Sequence, residues 1–417
     1  MRDWVKLEQQ YFMDTGHRRL GITIVRGEGA KAWDDAGREY LDFAAGWAAC
    51  SLGHSHPVIR KALEEQGGRL ILAGYDVYSI PQIELAELLT STSGLDKVFL
   101  CNSGAEANEG AVKLARKYGK LHLNGAYGVV SALRGFHGRT LAMVAATGKP
   151  DSQAPFTPLP EGFTHVAYND VRAIEAAVKD TTCAVLLEPI QGEGGVIIPD
   201  EGYLKEVRNL CDERGLLLIL DEVQTGCGRT GTLWGHEQFG VKPDIMTVGK
   251  GLGGGVPIAG IVVKDRAACF GPGDHGSTFG GNALCSAVAC AVLRHMLEED
   301  LPGNAARVGS YFRDRLVDLQ EKYEIIRAVR GRGLLVALEF AGPVALPVVQ
   351  ACRALGLLGN ALPPYTIRFM PPLNIHRNDV DQAIAILDTA IGQICPPFAG
   401  SSSREDRRRH SLHRLLF

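Results

Sequence analysis

The chain has 417 residues, of which 46% are hydrophobic and 22% are charged, and its formal net charge is −3 at pH 7. This length predicts two or three domains with a large core, and the composition is that of a globular protein. The charge excludes a global basic field that would attract nucleic acid or an anionic membrane. The sequence shows neither the apolar core of a signal peptide nor a bilayer-spanning segment, so we expect a cytosolic protein.

Metal and disulfide chemistry have little support in the sequence. The ten cysteines are scattered and form no CxxC pair. We therefore expect buried free thiols of a reducing compartment and no metal centre. His54 and His56 are the one hint of a metal hydrolase. No further set of His and Asp at strand ends supports this alternative, and Pro57 indicates a turn.

Short apolar runs alternate with helical patterns over the first 300 residues. The helical patterns at 103–118 and 200–214 are followed by Gly119 and Gly215, which we expect to end them. Runs that are apolar on both faces and alternate with helices indicate a mostly parallel sheet covered on both sides. The predicted strands of this sheet are residues 98–102, 129–133, 183–188, 216–220 and 244–248.

From about residue 301 the pattern changes to that of a smaller α+β domain. Residues 396–417 carry Pro, Ser, Arg and His without a helical period, and we predict a disordered tail; a basic docking arm is the alternative. The predicted elements of this part are helices near 305–323 and 378–394, a glycine-punctuated strand pattern at 329–340 and a strand at 365–369. The expected division is an N-terminal segment that packs with the small domain (1–50), a large domain (51–300), a small domain (301–395) and the tail.

Asp221 is the most unusual polar residue in the sequence. It follows five consecutive large aliphatic residues at 216–220, so it should stand at the carboxyl end of a buried strand, where open parallel sheets bind their ligands. A carboxylate in such a place is costly unless a cation faces it. A protonated pyridine nitrogen would be such a cation, and the pairing would keep the ring an electron sink. A capping aspartate is the alternative from this residue alone.

Lys250 follows the predicted strand at 244–248 and precedes the glycine-rich residues 251–255. Glycines allow other groups to approach the backbone closely. A lysine amine in a dry site can lose its proton and form an imine with an aldehyde. Taken alone, Lys250 fits a solvated loop lysine better than a reactive one.

A phosphate site is indicated where Ser103, Gly104 and Ala105 open a helix directly after a strand. Free N–H groups and the positive end of the helix dipole favour an anion there, although a simple helix cap fits the same segment. Ser277 and Thr278, in the stretch HGSTFGGN, would add hydroxyls to the same anion.

Three further residues are candidates for ring and carboxylate contacts. Phe136 would stack on an aromatic ring, although a core position is the commoner role of such a residue. Arg139 and Arg368 are candidate carboxylate forks, since guanidinium binds carboxylate in bidentate fashion. A surface arginine is the alternative for each.

In this order, the motifs resemble those of the class III, or ω-, aminotransferases, which are pyridoxal-phosphate enzymes of fold type I. The resemblance runs from about Gly27 to Ile394 and implies an α/β fold. It further implies a mostly parallel seven-stranded sheet between helices in the large domain, pyridoxal 5'-phosphate as cofactor, and a homodimer with shared active sites. The matching stretches are residues 102–109 (NSGAEANE), 136–140 (FHGRT), 188–195 (EPIQGEGG), 220–226 (LDEVQTG), 228–231 (GRTG), 249–255 (GKGLGGG) and 276–282 (GSTFGGN).

The resemblance also implies a role for each matching residue. Lys250 holds the cofactor as a Schiff base and carries the proton, and Asp221 pairs with the pyridine nitrogen. The other implied cofactor contacts are Val223 and Phe136 on the two ring faces, Gln224 at the phenolic oxygen, Gly104 and Ala105 beside Ser103 at the phosphate, and Thr278 at the phosphate of the partner subunit. The implied substrate contacts are Arg139 for a carboxylate, Arg368 for the α-carboxylate of glutamate, Glu193 as the partner of Arg368 when that carboxylate is absent, and Ser277 and Trp47.

Within the class, residues 191–195 and 368–373 are most similar to the acetylornithine enzymes. The implied reaction transfers the terminal amino group of N2-acetylornithine to 2-oxoglutarate, giving N-acetylglutamate 5-semialdehyde and glutamate in arginine biosynthesis. Ornithine, 4-aminobutyrate or another ω-amino acid is the alternative donor. Trp47 stands where the acetylornithine enzymes usually carry an aliphatic residue and the ornithine enzymes a tyrosine, so it should add bulk beside the substrate.

Other classes of protein fit the motifs less well. Residues 226–231 match G-x-G-x-x-G, but four residues separate them from the strand and Gly235 interrupts the helix that a nicotinamide dehydrogenase needs there. A phosphate-loop ATPase would need Gly in place of Asp244, and Ser or Thr in place of Gly251. A catalytically inactive binding protein on this fold is disfavoured, because the lysine and the aspartate described above are both present.

Overall fold

The computed structural model describes residues 2–15, 21–74 and 76–395. Within these ranges, no helix is long and apolar enough to cross a membrane. The tail at 396–417 lies outside the described residues, and so do the predictions of disorder and of a docking arm that were made for it.

The N-terminal part combines a small sheet with three helices and one short turn. Strands β1, β2 and β3 pair in that order, and β3 also pairs in parallel with β13 (Leu357–Leu358) near the other end of the chain. Residues from both ends of the chain therefore share one sheet. The elements are α1 (Trp4–Tyr11), β1 (Ile24–Glu28), β2 (Lys31–Asp34), β3 (Glu39–Asp42), the turn α2 (Ala45–Ala48), α3 (Pro57–Gly67) and α4 (Ile80–Ser93).

A seven-stranded sheet forms the centre of the large domain, with strand order β4-β10-β9-β8-β7-β5-β6. Only β10 runs antiparallel to its neighbours, so the predicted mostly parallel sheet is confirmed. Its elements are β4 (Lys97–Cys101), α5 (Gly104–His122), β5 (Gly128–Ala132), α6 (Leu141–Ala146), α7 (Pro150–Gln153), β6 (Phe163–Val166), α8 (Val171–Ala177), β7 (Thr182–Leu187), α9 (Tyr203–Arg214), β8 (Leu217–Asp221), β9 (Ile245–Val248), β10 (Ala259–Val263) and α10 (Ala283–Glu298). Short 3₁₀ turns span Ala154–Phe156, Gly235–Phe239, Lys250–Leu252 and Asp265–Ala267.

Strand β8 shows why the aliphatic run before Asp221 becomes a central strand. Leu217 and Ile219 pack in one apolar cluster with α5, while Leu218 and Leu220 pack in another cluster with α8 and α9. Alternate side chains of a strand point to opposite faces, so both faces of the sheet are covered by helices. The run therefore brings Asp221 to the end of a strand that is buried along its whole length.

The smaller C-terminal α+β domain is also present. An antiparallel sheet of order β11-β12-β15-β14 packs with three helices. The predicted strand pattern at 329–340 is a hairpin of β11 and β12. The domain bounds given above stay predictions. The elements are α11 (Leu301–Lys322), β11 (Ile326–Arg332), β12 (Leu335–Phe340), α12 (Ala345–Ala354), β13, β14 (Asn360–Leu362), β15 (Thr366–Phe369) and α13 (Arg377–Ile394).

One of the two predicted helix ends is wrong. Helix α5 continues through Gly119 to His122. A Cβ atom on Gly119 would lie 2.0 Å from the carbonyl oxygen of Ala126, so glycine serves close packing against the following chain and not helix termination. Helix α9 does end at Gly215, whose φ of 68° forms a left-handed cap.

Candidate active site

Five segments leave the carboxyl ends of strands and converge on one edge of the main sheet. Strand β4 leads to Ser103, β5 to the loop 134–140, β7 to the loop 188–195, and β9 to Lys250, while β8 ends in Asp221. These strands are neighbours in the sheet apart from the antiparallel β10 between β4 and β9. Parallel sheets bind ligands at this edge, so it is the candidate active site.

Asp221 is 4% exposed and is held by several hydrogen bonds. Asn108 Nδ2 donates to Asp221 Oδ2 over 2.7 Å, and His137 Nδ1 lies 2.8 Å from the same oxygen. The backbone N–H of Val223 donates to Asp221 Oδ1 over 3.0 Å, and Thr247 Oγ1 donates to Asn108 Oδ1 over 2.8 Å. Burial lowers the pKa of His137, but Asp221 more than offsets this, so the pKa is raised. The carboxylate is thus oriented by the protein itself.

Lys250 follows β9 after Gly249 and begins a 3₁₀ turn, with a φ of 43°. Ser51 Oγ donates to the carbonyl oxygen of Gly251 over 2.8 Å and ties this turn to the N-terminal part. Among the residues that the structure describes, the Lys250 amine has no hydrogen bond or ion pair. Burial lowers the pKa of this amine, and the guanidinium of Arg368 lowers it further. Both effects favour the neutral, nucleophilic form.

The start of helix α5 lies beside Lys250 and offers an anion site. A Cβ on Gly249 would lie 3.6 Å from the backbone nitrogen of Gly104, so the two segments are close. Ser103 caps the helix by accepting from the Glu106 N–H over 3.3 Å. A Cβ on Gly104 would lie 2.6 Å from Val223 Cγ1, so only glycine lets Val223 pack against the first turn. The 19-residue helix leaves its first N–H groups and its positive dipole end at this edge.

The loop that carries Ser277 and Thr278 reaches the same region only in part. Asn102 Nδ2 donates to Ser277 Oγ over 3.1 Å, which brings Ser277 next to the start of α5. Thr278 is exposed. It lines a surface cleft with Ser79 and Gln82, which are not among the predicted site residues. The chain alone therefore brings Ser277, but not Thr278, to its own candidate active site.

Arg368 is fully buried on β15 and joins the small domain to the large one. Its Nη2 donates to Glu193 Oε1 over 2.5 Å, and its Nη1 donates to Gln224 Oε1 over 2.8 Å. Asn360 Oδ1 accepts from Arg368 Nε over 3.1 Å. Burial raises the pKa of Glu193, but Arg368 outweighs this, and the pKa is lowered. Gln224 Nε2 is buried without a hydrogen-bond partner in the described structure.

Phe136 lies between a buried carboxyl group and two cations. Glu188 accepts from the backbone N–H groups of Phe136 and Gly192, each over 3.0 Å, and burial raises the pKa of Glu188 to about 7. Arg139 Cζ lies 5.4 Å from the centroid of the Phe136 ring, and Lys149 Nζ lies 5.7 Å from it. The ring therefore marks a cationic part of the site.

Trp47 occupies a left-handed turn. All four residues of α2 (Ala45–Ala48) have φ values between 44° and 71°. Left-handed backbone costs L-residues roughly 1–2 kcal/mol each, and Asp42 Oδ1 offsets part of this by accepting from the Ala45 N–H over 2.9 Å. The turn contacts the Lys250 segment, because a Cβ on Gly251 would lie 3.7 Å from the carbonyl oxygen of Ala48. Trp47 is 52% exposed at this place.

Several residues of the site were not singled out from the sequence. Asn108, His137 and Glu188 lie inside matching motif stretches, so those stretches held the signal. Lys149 and Asn360 lie outside every such stretch. Their place in the site depends on how Gly148 approaches β5 and how β14 pairs with β15. Neither approach has a local sequence pattern.

Comparison with known proteins agrees with this geometry. Residues 12–391 match the family described as aminotransferase class-III. The chain is 47% identical to an acetylornithine aminotransferase of Methanothermobacter thermautotrophicus, over 94% of this chain and 98% of the relative. The ornithine aminotransferase of Toxoplasma gondii has a similar structure, with a TM-score of 0.90 at 35% identity over 94% of this chain and 96% of that chain. The acetylornithine aminotransferase of Elizabethkingia anophelis gives 0.83 at 35% identity over 94% and 98%.

Proposed function

The chain belongs to the class III aminotransferases, and from this we propose that it transfers the terminal amino group of N2-acetylornithine to 2-oxoglutarate. The products are N-acetylglutamate 5-semialdehyde and glutamate. The donor is inferred from the acetylornithine aminotransferase with which this chain shares 47% identity. The observation that carries the reaction type is the pair of buried Arg368 and half-buried Glu193 beside Lys250, because Arg368 can exchange Glu193 for the carboxylate of a substrate. A cytosolic location remains a prediction from the sequence.

The residues of the site fit the cofactor of this family, pyridoxal 5'-phosphate. When bound, it supplies an aldehyde carbon that an amine can attack and a ring that accepts electrons. Lys250 offers an amine whose pKa is lowered, and Gln224 Nε2 is a buried donor without a partner among the residues at 2–15, 21–74 and 76–395. Asp221 offers a buried carboxylate to a ring nitrogen, and the first turn of α5 offers N–H groups to a phosphate. These residue roles are part of the proposal.

The chain's own groups would divide the chemical work in a simple way. Lys250 Nζ would hold the cofactor covalently and, once released, would take a proton from the reacting carbon and return it. Asp221, fixed by Asn108 and His137, would keep its charge towards the ring nitrogen. Val223 and Phe136 would lie on the two faces of the ring.

The two substrates place different demands on the arginines. The donor reacts through its terminal amine, so its carboxylate lies far from the reacting carbon, where Arg139 would bind it. Arg368 would then stay with Glu193, as it does in this structure. The acceptor 2-oxoglutarate carries a carboxylate next to its reacting carbon, and this group would displace Glu193 from Arg368. One site thus serves both substrates by exchanging a single ion pair.

We also propose a homodimer in which Thr278 reaches the cofactor phosphate of the partner subunit. Thr278 is exposed and lines a cleft with Leu72, Ser79 and Gln82, whose segments carry exposed apolar side chains, and large apolar patches mark interfaces. Dilution should therefore lower specific activity as dimers dissociate, and monomers with full activity would contradict shared sites. The exposed apolar residues are Ile71, Leu72, Val77, Tyr78, Ile80, Ile83 and Phe279.

The test of the proposed function is a comparison of kcat/KM for several donors with 2-oxoglutarate as acceptor. The donors are N-acetylornithine, N-succinylornithine, ornithine, 4-aminobutyrate and a carrier-linked lysine precursor. We expect acetylornithine to rank first. If ornithine or 4-aminobutyrate ranks above it, the donor assignment is wrong while the aminotransferase class stands.

A further inference from the structure

The carboxylate-binding side of the site carries more positive than negative charge. Arg139, Lys149 and Arg368 lie around Phe136 and the loop that carries Glu193. Arg368 is paired with Glu193, but within the described chain neither Arg139 nor Lys149 forms an ion pair. Two cations thus remain for an anionic ligand on this side. Sequence motifs account for Arg139 but not for Lys149.

The backbone of Lys149 is fixed at the edge of the sheet. The preceding Gly148 forms a bridge with Leu133, and the Arg134 N–H donates to the Gly148 carbonyl oxygen over 2.8 Å. A Cβ on Gly148 would lie 2.4 Å from the carbonyl oxygen of Ala132, so the approach needs glycine. The lysine amine then reaches the loop of Glu193, where it lies 3.5 Å from the backbone carbonyl oxygen of that residue.

The electrostatic surroundings of Lys149 match a place for an anion. Burial lowers the pKa of its amine, and the guanidiniums of Arg368 and Arg139 act in the same direction. The carboxylates of Glu193 and Glu188 oppose this shift without cancelling it. Burial is therefore the main cost to the charged amine, and an additional carboxylate would relieve that cost.

We propose that Lys149 is a specificity-determining residue that binds, together with Arg139, the distal carboxylate of the substrate. In the donor this group is the carboxylate remote from the terminal amine, and in a 2-oxo-dicarboxylate it is the one remote from the oxo carbon. The inference rests on the proposed function, since it assumes substrates with a remote carboxylate. Lys149 is then a second cation at this carboxylate, beside Arg139, which is the one residue that the motifs assign to it.

Equilibrium binding of unreactive acids to the holoenzyme tests this assignment without turnover. Glutarate has two carboxylates, so it can use Arg368 and the proposed pair together. Lys149→Met should weaken glutarate binding about 10- to 100-fold, since a charged hydrogen bond is lost. Lys149→Arg should restore most of the affinity. The matched control is Lys179→Met, which removes an exposed lysine that lies between α8 and the start of β7, at the opposite end of that strand from the candidate site, and should not change glutarate affinity.

Kinetics with matched substrate pairs separate the proposed role from two others. Lys149→Met should lower kcat/KM for 2-oxoglutarate but not for pyruvate, and for N-acetylornithine but not for N-acetylputrescine, which lacks the carboxylate. An equal loss with pyruvate would mean that Lys149 only supports the Glu193 loop. An equal loss with N-acetylputrescine would mean that it binds the acyl group. Either result overturns the inference.

Failure of the donor assignment can be told apart from failure of this inference. If acetylornithine is not the preferred donor but Lys149→Met still weakens glutarate selectively, the proposed donor is wrong and the role of Lys149 stands. If acetylornithine is preferred and the substitution changes neither glutarate binding nor 2-oxoglutarate use, the proposed function stands and Lys149 has no part in carboxylate recognition.

Discussion

On one side of Lys250, Asp221 is held by Asn108 and His137, and all of these residues come from the large domain. On the other side, Arg368 comes from the small domain and meets Glu193 on a large-domain loop. The hydrogen bonds of the first group join Asp221, at the end of its strand, to α5 and to the loop that follows β5. The second depends on how two domains pack and on one exchangeable ion pair.

This difference separates the chemistry from the choice of substrate. A buried hydrogen-bond network with few alternatives keeps one geometry, which suits a group that must polarise the same ring in every turnover. A partly buried ion pair can be exchanged for another of similar strength, because an incoming carboxylate replaces the one that leaves. Known enzymes for ornithine and for acetylornithine share this fold. Donor choice is therefore expected to lie on the second side.

The largest effect is expected from Lys250, which stands between the two sides. Lys250→Ala should lower turnover by about 10⁴-fold or more, because it removes both the nucleophile and the proton carrier. Borohydride should fix the cofactor to Lys250 in the native protein, as shown by peptide mass, and should fix none in the variant. Lys179→Ala is the control for a lysine far from the site. A labelled peptide that does not contain Lys250 would contradict the assignment.

Asp221→Asn tests the fixed side. The amide keeps the shape of the carboxylate but not its charge, so turnover should fall by about 10²- to 10³-fold while cofactor binding is partly retained. Absorbance titration with pyridoxal phosphate measures binding, and single-turnover kinetics measure the chemical step. Asp200→Asn, an identical change at an exposed residue, should have no effect. Near-normal turnover of Asp221→Asn would remove this residue from the mechanism.

Arg139→Ala tests the second side at a guanidinium that has no ion pair among the described residues. Loss of a charged bidentate contact should weaken transition-state binding of acetylornithine by about 2–4 kcal/mol, measured from kcat/KM. Arg139→Lys should recover only part of this, since an ammonium lacks the planar fork. An equal loss with a donor that has no carboxylate would show that the residue acts through packing on Phe136 and not through charge.

The two sides also differ in how far the sequence predicts them. Residues 217–220 pack on both faces of the sheet, and this alone brings Asp221 to the strand end. Lys250 follows its strand in the same way. Local pattern is sufficient here because parallel strands end at one common edge.

The second side could not be derived from local pattern. The contact between Glu193 and Arg368 joins elements of two domains, and only the family resemblance suggested it. Asn360 lies on a three-residue strand that no periodicity marks. Gly119 shows the same limit in the fold, because the close approach of Ala126 is a tertiary contact that its neighbours in sequence do not encode.

Glu193→Gln should change the balance between the two substrates. The pKa of Glu193 is lowered on balance, so the pair with Arg368 is charged at neutral pH, and the amide would leave Arg368 without a countercharge. Arg368 would then be open to α-carboxylates in both half-reactions. We expect kcat/KM for acetylornithine to fall about 10-fold relative to that for 2-oxoglutarate. Stopped-flow measurement of each half-reaction gives this ratio, and an unchanged ratio would contradict the exchange.

The smallest effect is expected at Trp47, which lies in the left-handed turn that contacts the Lys250 segment through Ala48. Trp47→Ile should raise the kcat/KM for shorter ω-amines a few-fold, because the smaller side chain leaves more room near the reacting carbon. A β-branched residue at a φ of 56° is strained, so the melting temperature should also fall by a few degrees, about 1 kcal/mol. Trp47→Phe keeps the bulk without β-branching and should change neither quantity much. If donor preference shifts equally in Trp47→Phe, bulk at this position does not set it, and the indole itself must contact the substrate.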